Sequence, residues 1–402
     1  MCKYLILGAG PAGLALANRL LDKGETSFLV VEKEASAGGL CRSGLVDGSP
    51  LDIGGGHFLD VRRPAVNEFL FRFMPEEEWD SFVRDSRISL PFAEISHPFE
   101  ANIWQMPQDK QVEYLKSIAV AGCNLGTPMP EAFTDWILWK LGDKIARDYM
   151  IPYNQKMFGN NLDLLGTYWL EKLPSVSFDE TLLSCLNRKA YGTQPGHARF
   201  YYPRKYGYGE LWLRMAARLG DKIILGNPVE ELDLTGPDPG VTLSDGTRLS
   251  AGTVVTSIPW TAVRVRGLPE GLSERLPRLR HTSVVIRYQA DAPDTPAHWV
   301  YYPDPSLDYH RILMRRNFCA GSRGCWTETN SDRYKRGAEA GGFSYRNEYA
   351  YPLNTRDKPA LMKELLSFAR GKHVIGLGRW GEWEHFNSDV TVQRAMDLAG
   401  EL

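Results

Sequence analysis

The chain has 402 residues and a formal net charge of −2, from 47 basic and 49 acidic side chains. That length allows two domains with a sizeable core, and the balanced charge argues against nucleic acid or an anionic membrane surface as a partner. The six cysteines lack metal-site spacing, and neither a signal peptide nor a membrane span is found, so we expect a cytoplasmic protein without a metal.

The N-terminal segment predicts a strand over residues 3–7, a helix over 14–23 and a second strand over 28–31. A glycine motif joins the first strand to the helix, and its residues are Gly8, Ala9, Gly10, Pro11, Ala12 and Gly13. Such glycines permit a tight turn, close approach of the backbone to a pyrophosphate, and close packing of helix on strand. The helix N-terminus attracts phosphate. The segment therefore predicts a dinucleotide-binding βαβ unit.

Glu32 follows the second strand directly, with Lys33 beside it. A carboxylate at this position can accept hydrogen bonds from both hydroxyls of the adenosine ribose. It would repel a 2′-phosphate, so NADP is not expected at this site.

Two further glycine clusters follow in the chain. The doublet Gly38-Gly39 leads through Leu40 to Arg42, which can neutralise a pyrophosphate. The second cluster comprises Asp52, Gly54, Gly55, Gly56 and His57. The run from Glu32 to Arg42 resembles the FAD signature of the amine oxidase and UDP-galactopyranose mutase superfamily. That resemblance implies FAD, with Gly55, Gly56 and His57 facing the flavin.

The middle of the chain returns to strand and helix patterns of the same class. Residues 209–219 predict an amphipathic helix, and strands are expected at 223–226, 228–232, 241–250 (a hairpin) and 253–259. This order resembles the larger flavoprotein Rossmann folds, in which the residue equivalent to Val229 caps the adenine through its backbone.

The fold class we predict is α/β, with a discontinuous Rossmann-like FAD-binding domain of the GR2 flavoprotein type and two insertions. The FAD-binding domain comprises residues 1–60, 204–265 and 370–402. Residues 61–203 form a mainly helical insertion, with a helix over 133–149 that ends before Pro152. Residues 266–369 form a strand-rich substrate domain.

The last segment resembles the part of these flavoproteins that closes over the isoalloxazine ring. A strand from residue 373 ends in glycines, and the final helix begins near Asp389. A helix N-terminus there would favour an anionic reduced flavin. The cofactor contacts that this resemblance implies are Gly378, Arg379, Glu384, Asn387 and Asp389.

Three segments resemble the UDP-galactopyranose mutases in particular. They are Pro152–Gly159 with the downstream tryptophan, Trp299–Pro303 with Tyr309–Arg311, and Gly378–Trp383. The substrate contacts implied are Tyr153, Asn154, Trp169, Lys172, Tyr302, Arg311 and Tyr351. The catalytic set implied is His57, Arg311, Tyr351 and His385. Arg311, Arg315 and Arg316 together favour an anionic substrate.

The mutase resemblance implies that N5 of reduced FAD acts as a nucleophile at the anomeric carbon of a nucleotide sugar. NAD(P)H is then a candidate external reductant. The chain departs from the mutase pattern in an extra glycine before His57 and in His385, which replaces a tyrosine. Two alternatives therefore stay open: an oxidoreductase of the amine oxidase or protoporphyrinogen oxidase type, and a flavin-binding protein without catalysis. The oligomeric state stays open too.

Overall fold

A computed structural model of the chain describes residues 2–122, 124, 126–170, 177–192, 198–334 and 342–402. Its strands, β1 to β20 in chain order, are Cys2–Leu7, Phe28–Val31, Ser43–Val46, Ser49–Asp52, Leu59–Asp60, Trp79–Val83, Ser86–Leu90, Ala93–Ser96, Arg199–Pro203, Ile223–Ile224, Val229–Asp233, Gly240–Leu243, Arg248–Thr256, Arg264–Arg266, His281–Gln289, Trp299–Tyr301, Arg311–Leu313, Cys325–Asn330, Ser344–Pro352 and Val374–Gly376. Its helices, α1 to α11, are Pro11–Asp22, Pro64–Phe71, Gln108–Gly122, Phe133–Ile145, Ile151–Phe158, Phe178–Asn187, Gly209–Ala217, Glu270–Arg275, Lys358–Arg370, Gly378–Gly381 and Ser388–Glu401.

The first sheet carries the N-terminal motif. Its strand order is β10-β2-β1-β13-β12-β11-β14, with β20 beside β13. Strands β10, β2, β1, β13 and β20 pair in parallel, and helices α1, α7 and α11 pack together on this sheet. The hairpin arm and the returning strand that we predicted separately form the single strand β13. These layers confirm the predicted α/β fold class with a Rossmann-like unit.

The turn between β1 and α1 shows why glycine is required in the motif. Gly8 has a φ of +98°, a conformation that other residues rarely adopt. A Cβ atom on Gly13 would lie 2.0 Å from the carbonyl oxygen of Gly8. The helix can therefore pack this closely on the strand only without a side chain at residue 13.

The second sheet has the order β19-β15-β18-β17-β16-β7-β8. Strands β7 and β8 belong to residues 61–203, where we expected mainly helix, and β5, β9 and β6 form a further small sheet. Buried and half-buried residues alternate along Ser86–Leu90, and this two-residue period is typical of a strand. Our sequence prediction did not identify a strand there. The two insertions therefore share one sheet.

The helix predicted over residues 133–149 differs in its ending. Helix α4 is interrupted at Gly142, where φ is +76°, and it ends at Ile145. A π-helical turn over Ala146–Met150 leads straight into α5, with Pro152 in the first turn. Proline is tolerated there because first-turn amides have no partner within the helix, so Pro152 starts a helix rather than ending one.

Membrane-spanning helices were sought in the described ranges. None of the helices there combines the length and the apolar character that a bilayer crossing requires.

Candidate functional site

Two cavities adjoin at the carboxyl ends of β1, β2 and β13. The glycine-motif cavity, of about 540 Å³, is lined by the motif loop, the Gly38-Gly39 doublet and the start of α11. The aromatic cavity, of about 410 Å³, lies between the second sheet and helices α4 and α5. His57, Arg379 and Ser388 line both cavities. The carboxyl edge of a parallel sheet is where α/β folds bind ligands.

Most of the predicted cofactor residues lie around the glycine-motif cavity. Those that line it are Gly8, Gly10, Pro11, Ala12, Glu32, Lys33, Gly39, Leu40, Arg42, His57, Val229 and Arg379. Gly55 and Gly56 line the aromatic cavity instead. Gly13 and Gly378 lie just behind the lining, where a Cβ on Gly378 would come within 2.8 Å of the Ala12 methyl carbon.

Glu32 is buried and oriented by backbone amides. Its Oε2 accepts a hydrogen bond from the Ala9 N–H at 2.7 Å, and its Oε1 accepts one from the Glu34 N–H at 3.0 Å. A carboxylate oxygen has two lone pairs, so both oxygens can still accept from a ligand. The structure thus holds this carboxylate in place at the end of β2.

Arg42 is held over the same cavity by three contacts. Its Nη1 lies 3.1 Å from a Glu34 oxygen, its Nη2 donates to the Tyr345 hydroxyl at 2.8 Å, and its Nε donates to the Gly39 carbonyl at 2.9 Å. These contacts fix the guanidinium beside the glycine doublet. Sequence reasoning did not include Glu34 or Tyr345 as partners of Arg42. For Tyr345, nothing in the local pattern of β19 reveals which neighbour this strand faces.

His57 lies at the junction of the cavities. Its Nδ1 is 2.9 Å from the Gly55 carbonyl oxygen, which can only accept, so Nδ1 carries the proton and Nε2 is an acceptor. Burial lowers the pKa of His57 to about 4, and the charge of Arg379 acts in the same direction. The imidazole is therefore neutral near pH 7.

Arg379 supplies positive charge at this junction. Its Nε and Nη2 donate to the Phe386 carbonyl at 3.0 and 2.7 Å, and its Nη1 donates to the Ala350 carbonyl at 3.0 Å. Burial lowers the pKa of Arg379 from its ordinary value, but a guanidinium remains charged in proteins. No carboxylate among the described residues forms an ion pair with it. The N-terminus of α11, which adds a positive dipole end, lies beside it through Ser388.

An ion pair between the half-buried Arg311 and the buried Glu328 lines the aromatic cavity. Arg311 donates through Nε to a Glu328 oxygen at 2.9 Å and through Nη2 to the same oxygen. The other oxygen of Glu328 accepts from the Gly56 N–H at 2.9 Å. Burial alone would raise the pKa of Glu328, but Arg311, His310 and the Gly56 amide outweigh it and hold that pKa well below the usual range. Sequence reasoning found Arg311 and missed Glu328, which reaches it only through the pairing of β17 with β18.

The remaining predicted substrate and catalytic residues in this cavity form its walls, and they are Tyr153, Asn154, Trp169, Tyr351 and His385. Asn387, which was predicted as a cofactor contact, lines the same cavity. The Tyr351 and His385 rings lie 5.1 Å apart, centroid to centroid. Wall residues that sequence reasoning missed include Arg84, His97, Glu100, Trp136, Tyr149 and Tyr301.

Tyr302, predicted as a substrate contact, does not line the aromatic cavity, whereas its neighbour Tyr301 does. Successive residues of a strand point to opposite faces, so Tyr301 reaches the cavity and Tyr302 packs on Tyr309 at 5.1 Å. The Tyr302 carbonyl instead accepts from the buried Lys156 ammonium at 2.8 Å. Lys156, part of the mutase-like stretch, thus ties α5 to this strand.

Glu384 and Asp389 do not line either cavity. Glu384 pairs with the buried Lys358 at 2.8 Å, and Asp389 pairs with Arg63 at 2.8 Å. Each carboxylate is used to compensate a cation within the fold, so the structure does not support the predicted cofactor contacts of these two residues. Lys172 lies outside the described residues.

Arg315 and Arg316 do not add charge to the aromatic cavity as we expected. The Arg315 guanidinium is fully buried and donates to backbone carbonyls of the β3–β4 hairpin. Arg316 pairs with Asp294 at 3.1 Å. The cations that do line the cavity are Arg84, Arg311 and Arg379.

Asp52 gives a testable pH dependence of stability. It is fully buried and accepts hydrogen bonds from the Ser43 hydroxyl, the Tyr202 hydroxyl and the Tyr208 N–H, yet burial raises its pKa to about 7. Between pH 4 and 7 the folded protein then holds a proton that the unfolded chain releases. The free energy of unfolding should fall as pH rises through that window, by on the order of 4 kcal/mol from this group.

The measurement is urea unfolding of the wild type and of Asp52→Asn at pH 4, 5.5 and 7. We expect the difference in unfolding free energy between the two proteins to change across this window in favour of the variant. A constant difference would show that Asp52 titrates alike in both states.

Comparisons with known proteins match the chain to one family model and to solved structures of similar fold. A family model described as flavin containing amine oxidoreductase matches residues 11–287. A crystal structure of reduced UDP-galactopyranose mutase aligns over 100% of this chain and 93% of that one, with a TM-score of 0.89 and 20% identity. A putative protoporphyrinogen oxidase from Exiguobacterium sp. 255-15 aligns over 100% and 98%, with a TM-score of 0.72 and 13% identity. Likeness at such identities shows the fold.

A curated relative, the Baeyer-Villiger monooxygenase of Pseudomonas aeruginosa, is 24% identical over 142 residues. The match covers 32% of this chain and spans about a quarter of the relative, 26% of its length.

Proposed function

The chain belongs to the flavin-containing amine oxidoreductase family, and from that premise we propose that it is an FAD-dependent mutase acting on a nucleotide sugar, in the manner of UDP-galactopyranose mutase. The observation that carries the proposal is the junction of two cavities at His57 and Arg379, with the Arg311 guanidinium in the second cavity. A dinucleotide in the first cavity would meet an anionic substrate in the second.

The glycine-motif cavity fits FAD. Glu32 would accept from the adenosine ribose, while Gly10, Gly39 and the α1 N-terminus would meet the pyrophosphate. Arg379 and the start of α11 would lie at the flavin pyrimidine, where positive charge stabilises an anionic reduced ring. When bound and reduced, FAD supplies a nucleophilic nitrogen at the anomeric carbon and allows isomerisation without net oxidation.

The residues of the aromatic cavity would bind, orient and protect the substrate. Arg311 would bind the diphosphate, and its pair with Glu328 fixes the guanidinium in one position. Tyr351 and Tyr153 line the same cavity, and a phenol hydroxyl can donate to a phosphate oxygen. Neutral His57 would present Nε2 as a hydrogen-bond acceptor near the reacting centre.

The charges of the aromatic cavity disfavour the amine oxidase alternative. Arg84, Arg311 and Arg379 line it, and they would repel a protonated amine. No lysine among the described residues lines it either, because Lys156 and Lys358 are both used within the fold. A protoporphyrinogen-type substrate, with anionic carboxylates, is the stronger of the two redox alternatives.

The test is turnover by the dithionite-reduced holoprotein without oxygen. Nucleoside diphosphate hexopyranoses carrying uracil, thymine or guanine are supplied, and products are separated by anion exchange. We expect one of these compounds to equilibrate with an isomer of different ring size, and the oxidised protein to be inactive. If none reacts, while an amine or a porphyrinogen is consumed with flavin reoxidation, the mutase proposal fails.

A further inference from the structure

Glu100 is a buried carboxylate that the proposed chemistry does not use. It starts a short 3₁₀ helix, is 9% exposed, and lines the aromatic cavity beside Phe99, Trp136, Leu141, Tyr149 and Met150. We call this part of the cavity the helical end. Its other walls are apolar or aromatic, so a lone charge there requires a partner.

The fold itself provides little compensation for this charge. No side chain in the described ranges donates a hydrogen bond or an ion pair to the Glu100 carboxylate. Burial raises its pKa, while its own backbone amide and the charge of Lys140 oppose that shift. A carboxylate that is 9% exposed, lines a cavity and receives no hydrogen bond from a side chain in the described ranges is typical of a group that binds a ligand with hydrogen-bond donors.

A row of aromatic rings connects Glu100 to the diphosphate end of the cavity. The pKa of the Tyr149 phenol is raised mainly by burial, and further by Tyr301 and Glu100. The Glu100 carboxylate therefore lies close enough to that ring to act on it electrostatically. Tyr149 stacks on Tyr153, with centroids 5.6 Å apart. Arg311 in turn acts on the pKa of Tyr153. A nucleoside diphosphate with its phosphates at Arg311 would thus direct its base along these rings toward Glu100.

We propose that the aromatic cavity takes a guanine nucleotide, with the base at the helical end and the Glu100 carboxylate accepting hydrogen bonds from guanine N1–H and N2–H. This inference rests on the proposed function, since it names the base of the nucleotide sugar. The aromatic walls formed by Phe99, Trp136 and Tyr149 provide apolar surface for a planar base.

Guanine is the base whose Watson–Crick edge matches a carboxylate. Its two neighbouring donors face the two oxygens, giving a bidentate, charge-assisted pair. Uracil and thymine offer a single N–H between two carbonyl oxygens, which would face the carboxylate unfavourably. Adenine and cytosine offer an amino group next to a ring acceptor. Each of these bases therefore leaves one carboxylate oxygen without a donor.

The experiment measures binding of GDP, UDP, ADP and CDP to the FAD-loaded protein by calorimetry. We expect GDP to bind at least about tenfold more tightly than each of the others, because it makes one more charge-assisted hydrogen bond. The variant Glu100→Gln replaces an oxygen with an amide donor and suits uracil. It should weaken GDP at least about tenfold and strengthen UDP. Glu94→Gln is the matched control, since Glu94 is exposed and pairs with Arg87 at 2.9 Å.

The outcomes separate this inference from the proposed function. Tighter binding of UDP, ADP or CDP than GDP by the wild type would overturn guanine recognition and leave the mutase proposal standing. Unchanged GDP affinity in Glu100→Gln, with the flavin spectrum intact, would also overturn it. Failure of all four nucleotides to bind would remove the proposed function itself.

Discussion

Replacing Arg311 with alanine should weaken nucleoside diphosphate binding by about a hundredfold or more and leave the flavin spectrum of the holoprotein in place. Arg311 is a half-buried cation that lines the aromatic cavity and does not line the glycine-motif cavity. Truncating the protein partner of a hydrogen-bonded charge pair between protein and ligand costs about 2–5 kcal/mol of binding free energy. Calorimetric titration of GDP and UDP into the variant holoprotein measures the loss.

The variant also leaves Glu328 buried without its cation, so stability needs its own control. The double variant Arg311→Ala/Glu328→Gln should recover folding stability but not binding. Arg316→Ala is the matched single variant, because Arg316 pairs with Asp294 away from the cavity, and it should bind nucleotides like the wild type. If Arg311→Ala retains wild-type affinity, the diphosphate does not bind at Arg311.

Gly13→Ala should destabilise the apoprotein by about 3 kcal/mol or more, whereas Gly10→Ala should fold normally and bind FAD poorly. A methyl group at residue 13 would lie 2.0 Å from the Gly8 carbonyl oxygen, a rigid backbone atom. A methyl group at residue 10 meets its nearest neighbour, the Gly39 Cα, at 3.8 Å, and Gly10 has a φ of −79°. That methyl group would fill the space where the two glycine motifs leave room for a pyrophosphate.

Urea unfolding of the cofactor-free proteins measures the first effect, and fluorescence titration with FAD measures the second. Because both substitutions add the same methyl group, each variant is the control for the other. Equal losses of stability in the two variants would contradict the assignment of Gly13 to helix packing and of Gly10 to FAD binding.

The local elements of the chain were predictable because their signals are local. The strand–glycine–helix order of residues 3–23 follows from hydrophobic period and turn residues alone. The position of Glu32 beside the glycine motif was predictable too, since both follow parallel strands that end at one sheet edge.

The pairing of side chains across the fold was not predictable in the same way. Arg311 meets Glu328 through the neighbouring strand β18, and Arg315 meets carbonyls of a distant hairpin. Tyr301 lines the cavity, while the next residue, Tyr302, lies on the opposite face and does not. Glu384 and Asp389 were expected at the cofactor, but each meets a cation from another segment. Such contacts depend on tertiary packing, which no local pattern encodes.

The cavity residue Glu100 shows the same limit. In the sequence it is one of many acidic residues, and it follows Pro98 and Phe99 without a motif that sets it apart. Only the fold reveals that its carboxylate is buried at a ligand-sized cavity and receives no hydrogen bond from another side chain of the described residues. Burial without a side-chain donor is what makes this carboxylate informative.

The most direct test of the central claim is the electron balance during turnover. The reduced holoprotein is mixed without oxygen with the nucleotide sugar that it isomerises, and the flavin absorbance near 450 nm is followed while product accumulates. The account predicts that many molecules of isomer form for each flavin while the flavin stays reduced. Reoxidation of one flavin for each molecule of product, with turnover only when an acceptor is present, would contradict it and identify a net redox enzyme.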